Sequence, residues 1–377
     1  MKLTCLSEKF KQAIVYAERV AARSTTLPIL KNVLLRAKDN KLFVEATNLE
    51  IGLSIVMNAK VDKEGECTIP SKILSSFVSH GIIDGNVSME LTENGIIFES
   101  GTDRTVIKSM DTESFPLLPK KTETKTITMN PKLLKKALEQ TVFSASVSET
   151  RPELTGIFVS FDADQVRFAA TDSFRLAESI IKFTEKPEDY DYYHQTIKSI
   201  IIPKNTIHEL LRIMTSAITI TVQENQIFFE SEGLLLISRL IEGTYPDYEQ
   251  IMPQNPVTDL VLEKKDFLHA VKTSSIFSSE KTSEIVLEII DKKGVVSAMS
   301  TEYGSHLTDL HKANIVGTDQ RIVFNPRFIM DGISQIDNDV VKISLTNEQA
   351  PILISAIEVS SDIDTLFRYI VMPVRST

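Results

Sequence analysis

Cysteine is nearly missing from this chain of 377 residues: Cys5 and Cys67 stand alone, in separate contexts and without metal-ligand spacing. They read as reduced, partly buried thiols, with a disulfide as the alternative, and a disulfide-stapled scaffold is excluded. No run approaches eighteen apolar residues, which excludes a membrane-spanning helix, and the first residues, MKLTCLSEKFKQ, have no apolar core for secretion. A cytoplasmic location without membrane partners is expected. The thirteen glycines form no phosphate-cradling loop, and there is no nucleophile elbow. The six histidines show no paired metal spacing; His306 and His311, five apart near Asp309, read as loop residues. No metal, cofactor or catalytic residue is therefore called for. Positive charge is also short, with 41 Lys and Arg against 51 Asp and Glu and a net charge of −10, which as a sum argues against nucleic acid.

What is present is a repeat. Six apolar sets follow the i, i+3, i+4, i+7 spacing of an amphipathic helix: Phe10/Ala13/Ile14/Ala17, Leu74/Phe77/Val78/Gly81, Leu134/Ala137/Leu138/Thr141, Ile207/Leu210/Leu211/Met214, Phe267/Ala270/Val271/Ser274 and Ile329/Gly332/Ile333/Ile336. Pro70, Pro131, Pro203 and Pro326 open four of them, suiting a first turn whose N–H has no partner. The sets begin 64, 60, 73, 60 and 62 residues apart, and taken in pairs they imply three similar domains. Asn94-Gly-Ile-Ile-Phe-Glu-Ser100 recurs 131 residues later as Asn225-Gln-Ile-Phe-Phe-Glu-Ser231. Phe43 to Leu53 is echoed by Phe168 to Ala177 and, more faintly, by Val296 to Ser305. Phe115-Pro116, Tyr245-Pro246 and Met372-Pro373 lie 130 and 127 residues apart.

Between the helices the chain alternates, rich in Ile, Val, Phe and Thr. Strands are expected at Val33–Leu35, Leu42–Ala46, Ile51–Met57, Val87–Leu91, Ile96–Glu99 and Thr105–Met110, separated by turn signals such as Asp39-Asn40 and Asn48. Each unit then holds two helices and about eight short antiparallel strands, an α+β class. Boundaries fall in polar, proline-bearing segments, giving domains 1–122, 126–253 and 257–377 that are fixed rather than loosely tethered. Asp172 is the one carboxylate suggestive of catalysis, but its counterpart in the first repeat is Asn48, which points to turn capping.

Charge distribution qualifies the negative sum. The six helical windows carry +1, +1, +2, +1, +1 and −1, leaving −15 for the rest of the chain. Positive charge is concentrated on helices, as with Lys132, Lys135 and Lys136 opposite the apolar stripe of the third; the sixth, with Arg327 against Asp331 and Asp337, does not share the bias.

Thr25-Thr-Leu-Pro-Ile-Leu30, Thr47-Asn-Leu-Glu50, Thr171-Asp-Ser-Phe-Arg-Leu-Ala177, Tyr245-Pro-Asp-Tyr248 and Tyr369-Ile-Val-Met-Pro-Val-Arg375 together resemble the bacterial DNA polymerase III beta subunit family, the sliding clamps, over the whole chain. The resemblance implies three similar domains of the DNA clamp fold. It further implies a head-to-tail homodimer forming a six-domain ring around duplex DNA, lined by twelve helices, that tethers polymerases without catalysis. Twelve helices spaced about 10 Å apart give a circumference of roughly 120 Å, and subtracting a helix diameter of about 10 Å leaves a channel of roughly 28 Å, enough for a duplex and its water.

Residue by residue, the family's partner-peptide cleft carries over onto Leu154, Thr171, Ser173, Phe174, Arg175, Leu176, Pro246, Ile251, Val371, Met372, Pro373, Val374 and Arg375, with Asn325 and Phe328 at the rim. DNA-facing candidates are Lys72, Lys132, Lys136, Lys204, Arg212, Lys265 and Arg327 on helices, with Arg23, Ser24 and Arg151 on loops; contacts through phosphates would be sequence-independent. Arg104, Thr105, Ile107, Ile276 and Phe277 fall at the implied dimer interface. Three departures stand out: Phe174 replaces a usual His and makes the cleft wall more apolar, Ser24 replaces a DNA-contacting Arg, and Thr105 replaces a more common aromatic. Implied partners are double-stranded DNA, a second copy of the chain, the polymerase III alpha subunit, the clamp loader, other DNA polymerases, mismatch repair proteins and ligase. The alternative is a clamp-like paralogue that binds partner peptides but is specialised for repair or poorly loaded on DNA; an unrecognised enzyme on the same scaffold is the third reading.

Overall fold

Phe10, Ala13, Ile14 and Ala17 lie buried along one helix, Ser7–Val20, and the other five stripes also fall on helices: Ser71–His80, Pro131–Val142, Lys204–Ile213, Lys264–Ser275 and Pro326–Ser334. The structure is a computed structural model and describes residues 1–22, 26–81, 85–214, 216–278, 284–357 and 365–374. Two prolines behave as expected, Pro131 and Pro326 being first helical residues. Pro70 and Pro203 instead end the strands Gly65–Pro70 and Ser199–Pro203, one residue before their helices. Pro70 is extended, at φ −55° and ψ 117°, so it closes the strand rather than opening the turn. In the fourth helix Ile213 is buried and Leu211 only half-buried, a rotation of the expected stripe.

Contacts gather the described residues into two compact units. The first is Met1–Pro131 with Pro187–Tyr192 and Asn205–Leu240; the second is Lys132–Lys186 with Tyr193–Lys204 and Ile241–Thr377. These divisions do not follow the sequence repeats, because continuous sheets join segments far apart in the chain.

The first unit is organised by a twelve-stranded sheet. Its main path runs Asp103–Ile107, Gly95–Ser100, Asn86–Thr92, Lys2–Leu6, Ile51–Lys63, Leu234–Arg239, Gln226–Ser231, Ile218–Gln223 and Ile127–Met129. The thirteen-residue strand Ile51–Lys63 is the hub, pairing with Lys2–Leu6, Lys41–Thr47 and Leu234–Arg239. Its first four residues are buried on both faces before it settles into alternation. Eight strands lie between Lys2 and Ile107, as many as expected, although the last is Asp103–Ile107 and Met110 makes only an isolated bridge to Thr68. The segment before residue 126 is anchored: Gln223 Oε1 accepts from the backbone N–H of Thr122 and Glu123, and Lys125 pairs with Asp189 at 2.7 Å. Cys5 and Cys67 are buried free thiols, pushed up to about 12 by burial.

The second unit has a nine-stranded sheet and a four-stranded sheet. In the larger, Arg175–Lys182 pairs with Thr365–Val371, bringing the chain's last strand beside its middle. The smaller runs Gly304–Asp309, Lys293–Ser300, Ile285–Ile290 and Gln320–Phe324. Pairing in both sheets is antiparallel throughout the described residues. A core of Phe267, Ile285, Phe324, Ile333, Ile354 and Tyr369 holds the helices Lys264–Ser275 and Pro326–Ser334 to the sheets; each such side chain contributes about 1.5–3 kcal/mol by leaving water. Gly332 is required by closeness: a Cβ there would come within 2.1 Å of the Tyr369 ring.

The first two repeated turns are one structure. Asn48 Oδ1 accepts from the N–H of Glu50 and Ile51, and Asp172 Oδ1 accepts from those of Phe174 and Arg175. Leu49 and Ser173, the next residues, share φ 76°. Ser300 Oγ accepts from Glu302 and Tyr303 in the fainter third copy. Asp172 thus caps a turn.

Candidate functional site

The Asp172 turn delivers a group of side chains to the end of the nine-stranded sheet. Thr171 Oγ1 donates to the Arg175 carbonyl at 2.6 Å and accepts from Ser173 N–H, fixing the loop before the strand begins. Leu176 pairs with Ile370 and Arg175 with Val371, so the chain leaves the sheet as Met372-Pro373-Val374 directly beside the turn. Met372 N–H donates to the Phe174 carbonyl and Val374 N–H to the Val323 carbonyl, both at 2.8 Å. The closing segment is therefore held at two points while its side chains remain half-buried.

Beneath it lies an apolar floor of Leu154, Ala169, Leu176, Ile201, Tyr245, Tyr248, Met252 and Ile370. Phe158 stacks on Tyr245 with ring centroids 4.9 Å apart. Burial raises the phenol pKa values of both tyrosines, and for Tyr248 the Glu178 carboxylate adds to the effect. Pro246 is half-buried at the edge, and Ile251 is 42% exposed. Of the expected cleft residues, Leu154, Thr171, Leu176 and Val371 are buried, and Arg375 lies outside the described residues. Asn325 serves its own helix as N-cap, Oδ1 accepting from Arg327 N–H at 2.9 Å.

Arg175 is committed internally. Nε donates to Asp172 at 2.9 Å, one terminal nitrogen to Asp331 at 2.6 Å and the other to the Phe143 carbonyl at 3.1 Å. Its guanidinium also lies 4.8 Å from the Phe328 ring centroid and 5.5 Å from that of Phe143. Burial opposes its charge, yet Asp331 and Asp172 hold its pKa above the ordinary value. The expected cleft residues thus border an apolar cluster, with the donors of Arg175 engaged inside the protein, an arrangement suited to holding apolar side chains. Phe143 and most of the aromatic floor were not singled out by the sequence. Asp331 entered only as a charge of the sixth helix, and Tyr245 and Tyr248 only as part of a motif.

The basic candidates differ. Lys72 and Lys132 are exposed on their helices. Lys265 and Arg327 reach solvent, with Glu263 at 2.8 Å and Asp331 at 3.9 Å. Arg151 and Arg212 pair with Glu153 and Glu209 on their own segments. Lys136 meets Asp337 at 2.6 Å, so that carboxylate does not serve the sixth helix's Arg327. Lys204 corrects an expectation: half-buried, its ammonium donates to the Ala145 carbonyl at 3.1 Å, and burial followed by Arg175 lowers its pKa. Arg23 and Ser24 lie outside the described residues.

The interface candidates lie on the edge strand Asp103–Ile107 and just after the helix Lys264–Ser275. Ile107 is buried, because it sits opposite Ile96 on the inward face; the outward apolar residue of the strand Asp103–Ile107 is Val106, 53% exposed. Thr105 is half-buried, and Arg104 pairs with Glu99 at 3.2 Å. Ile276 is 67% exposed, while Phe277 stacks on His306 of the edge strand Gly304–Asp309, centroids 5.5 Å apart.

Comparison with known proteins gives one answer along the chain. Residues 1–119 match the DNA polymerase III beta subunit, N-terminal domain, residues 128–247 its central domain and residues 249–375 its C-terminal domain. The beta sliding clamp of Staphylococcus epidermidis is 27% identical over 389 residues, covering all of both chains. Among solved structures, the sliding clamp from Bacillus subtilis has a TM-score of 0.91 at 25% identity, again over all of both chains. The clamp from Bartonella birtlesii bound to griselimycin matches equally, with a TM-score of 0.91 at 25% identity and full coverage of both.

Proposed function

Because the chain belongs to the DNA polymerase III beta subunit family, we propose that it closes head to tail with a second copy into a ring of six similar domains around duplex DNA. The protein is a DNA sliding clamp, a processivity factor and not an enzyme. One observation carries the reading: all three domain families match in order, and a solved clamp superposes over the full length of both chains. Domains 1–122, 126–253 and 257–377 are the units of that ring.

Lys72, Lys132, Lys265 and Arg327 are exposed on their helices to meet phosphates, and contact through charge alone permits sliding. The apolar groove of Leu154, Leu176, Pro246, Ile251 and Met372 takes a short segment of a partner protein. Burying one Leu or Phe there supplies about 1.5–3 kcal/mol, which keeps single-site affinity modest, and two grooves per ring add avidity. The polymerase III alpha subunit, the clamp loader, other polymerases, mismatch repair proteins and ligase are the partners proposed. Val106 and Ile276 bring apolar surface to the joining edges.

The test is topological. Protein loaded onto nicked circular DNA by a clamp loader is expected to stay bound and to be lost when the circle is linearised. Equal retention on both forms, or no loading at all, sinks the proposal.

A further inference from the structure

Phe174 is 63% exposed beside the proposed groove, although its turn is held by several hydrogen bonds. Its N–H is tied to Asp172, its carbonyl accepts from Met372, and the preceding Ser173 holds φ 76°. The ring is stacked on Phe328, centroids 6.5 Å apart and planes 25° from parallel. Below Phe328 lie the Arg175 guanidinium and then Phe143, itself 5.5 Å from Tyr369. Phe174 is thus the exposed end of a chain of ring and guanidinium contacts that runs through Phe328, Arg175 and Phe143 to the core residue Tyr369.

We propose that the exposed Phe174 ring is a specificity-determining shelf for an aromatic side chain of the partner segment bound in the adjacent groove. The inference rests on the groove being the partner site, as argued above. Continuity supports it: Leu176, two residues beyond Phe174, is part of the groove floor, and Met372 hydrogen-bonds to Phe174 itself. Charge supports it too. Arg175 is engaged by Asp172 and Asp331, so a charged partner residue finds no free opposite charge in those contacts, whereas a planar apolar one finds a fixed ring. The held backbone and the stack beneath reduce the ordering that binding demands, and aromatic pairs gain beyond the area they bury.

A random heptapeptide library panned on the full chain supplies the probe. Selected peptides are expected to share an aromatic residue at one position. The tightest is then synthesised with that residue and with Leu in its place, and both are measured on the wild type and on Phe174→Leu, which keeps apolar bulk but removes the ring. The aromatic peptide is expected to lose about three- to tenfold in affinity on the variant, and the Leu peptide to bind both proteins alike. Additive effects of the two changes, or selected peptides without a common aromatic, overturn the shelf. Met372→Ala separates the two readings. If it weakens every selected peptide while the Phe174 effect stays additive, the groove stands and the shelf falls; if it weakens none, both fall.

Discussion

Glu178 and Arg368 face each other across the strands Arg175–Lys182 and Thr365–Val371, and the fully buried carboxylate accepts from Arg368 Nε at 2.6 Å and from the Tyr248 hydroxyl at 2.8 Å. The pair fixes register where the last strand joins the middle of the chain. A slip by one residue would turn the carboxylate away from its cation. Arg368→Ala is expected to cost about 2–4 kcal/mol, since it strands a buried charge, and Tyr248→Phe about 1–2 kcal/mol. Urea unfolding checks both, and a midpoint unchanged by Arg368→Ala would show that the pair does not hold the strands.

In the groove, Met372→Ala is expected to weaken selected peptides by about tenfold, the loss of roughly 1.4 kcal/mol of apolar contact, with melting temperature unaltered. Leu176→Ala is a poorer probe. Leu176 is only 1% exposed, so its truncation should cost about 2–5 kcal/mol of stability and confound any binding loss.

Salt dependence distinguishes the lysines. If Lys132 meets a phosphate, Lys132→Ala should lower the slope of log affinity against log salt by nearly one. Lys136→Ala should change it less, because Asp337 already holds that ammonium. Lys204→Ala should leave the slope unchanged while lowering stability, as it removes the donor to the Ala145 carbonyl. DNA binding titrated over a range of potassium chloride decides among them.

Interface and core are separable on one strand. Val106→Asp is expected to divide the dimer at nanomolar concentration with the protomer still folded, whereas Ile107→Ala should lower protomer stability by about 2–5 kcal/mol. Mass measurement and thermal unfolding on the same samples check this. Dimer loss with Ile107→Ala at unchanged stability would reverse the assignment of faces.

Cys5 and Cys67 predict an alkaline trend. Their folded pKa values are raised to about 12 by burial, against an ordinary cysteine value of about 8.5. Below the unfolded value this contribution is complete. As pH rises toward 12, the unfolded chain gives up protons that the folded chain keeps, so stability falls, by up to about 1.4 kcal/mol per pH unit for each thiol. Alkylation at pH 8 should accordingly be slow in native protein and fast in urea, as read by mass.

The helices were legible in the sequence because each buries one stripe, and an amphipathic stripe is a local pattern. The shared turn was legible for the same reason, since Asn48 and Asp172 bond to N–H groups two and three residues ahead. Pairings over long separations were not. Nothing near Lys204 in sequence announces Ala145, nothing near Lys136 announces Asp337, and Arg175 reaches Asp331 across 156 residues. Ile107 was assigned through resemblance; the strand's alternation and its register with Ile96 put Val106 outside instead. The proposed groove was readable only through family motifs, because the residues beneath it are the apolar and aromatic types of any core.

Glu50 and Phe174 occupy the same place in the first two repeated turns, each donating its N–H to the capping side chain two residues earlier. Both side chains are exposed. Since the backbone there is held by its neighbour, the side chain is released from any duty to the fold, and the carboxylate of the first copy has an aromatic ring for its counterpart in the second. The second copy thereby has a position beside the proposed groove where the exposed side chain can change on its own, without the turn or the sheet being rebuilt.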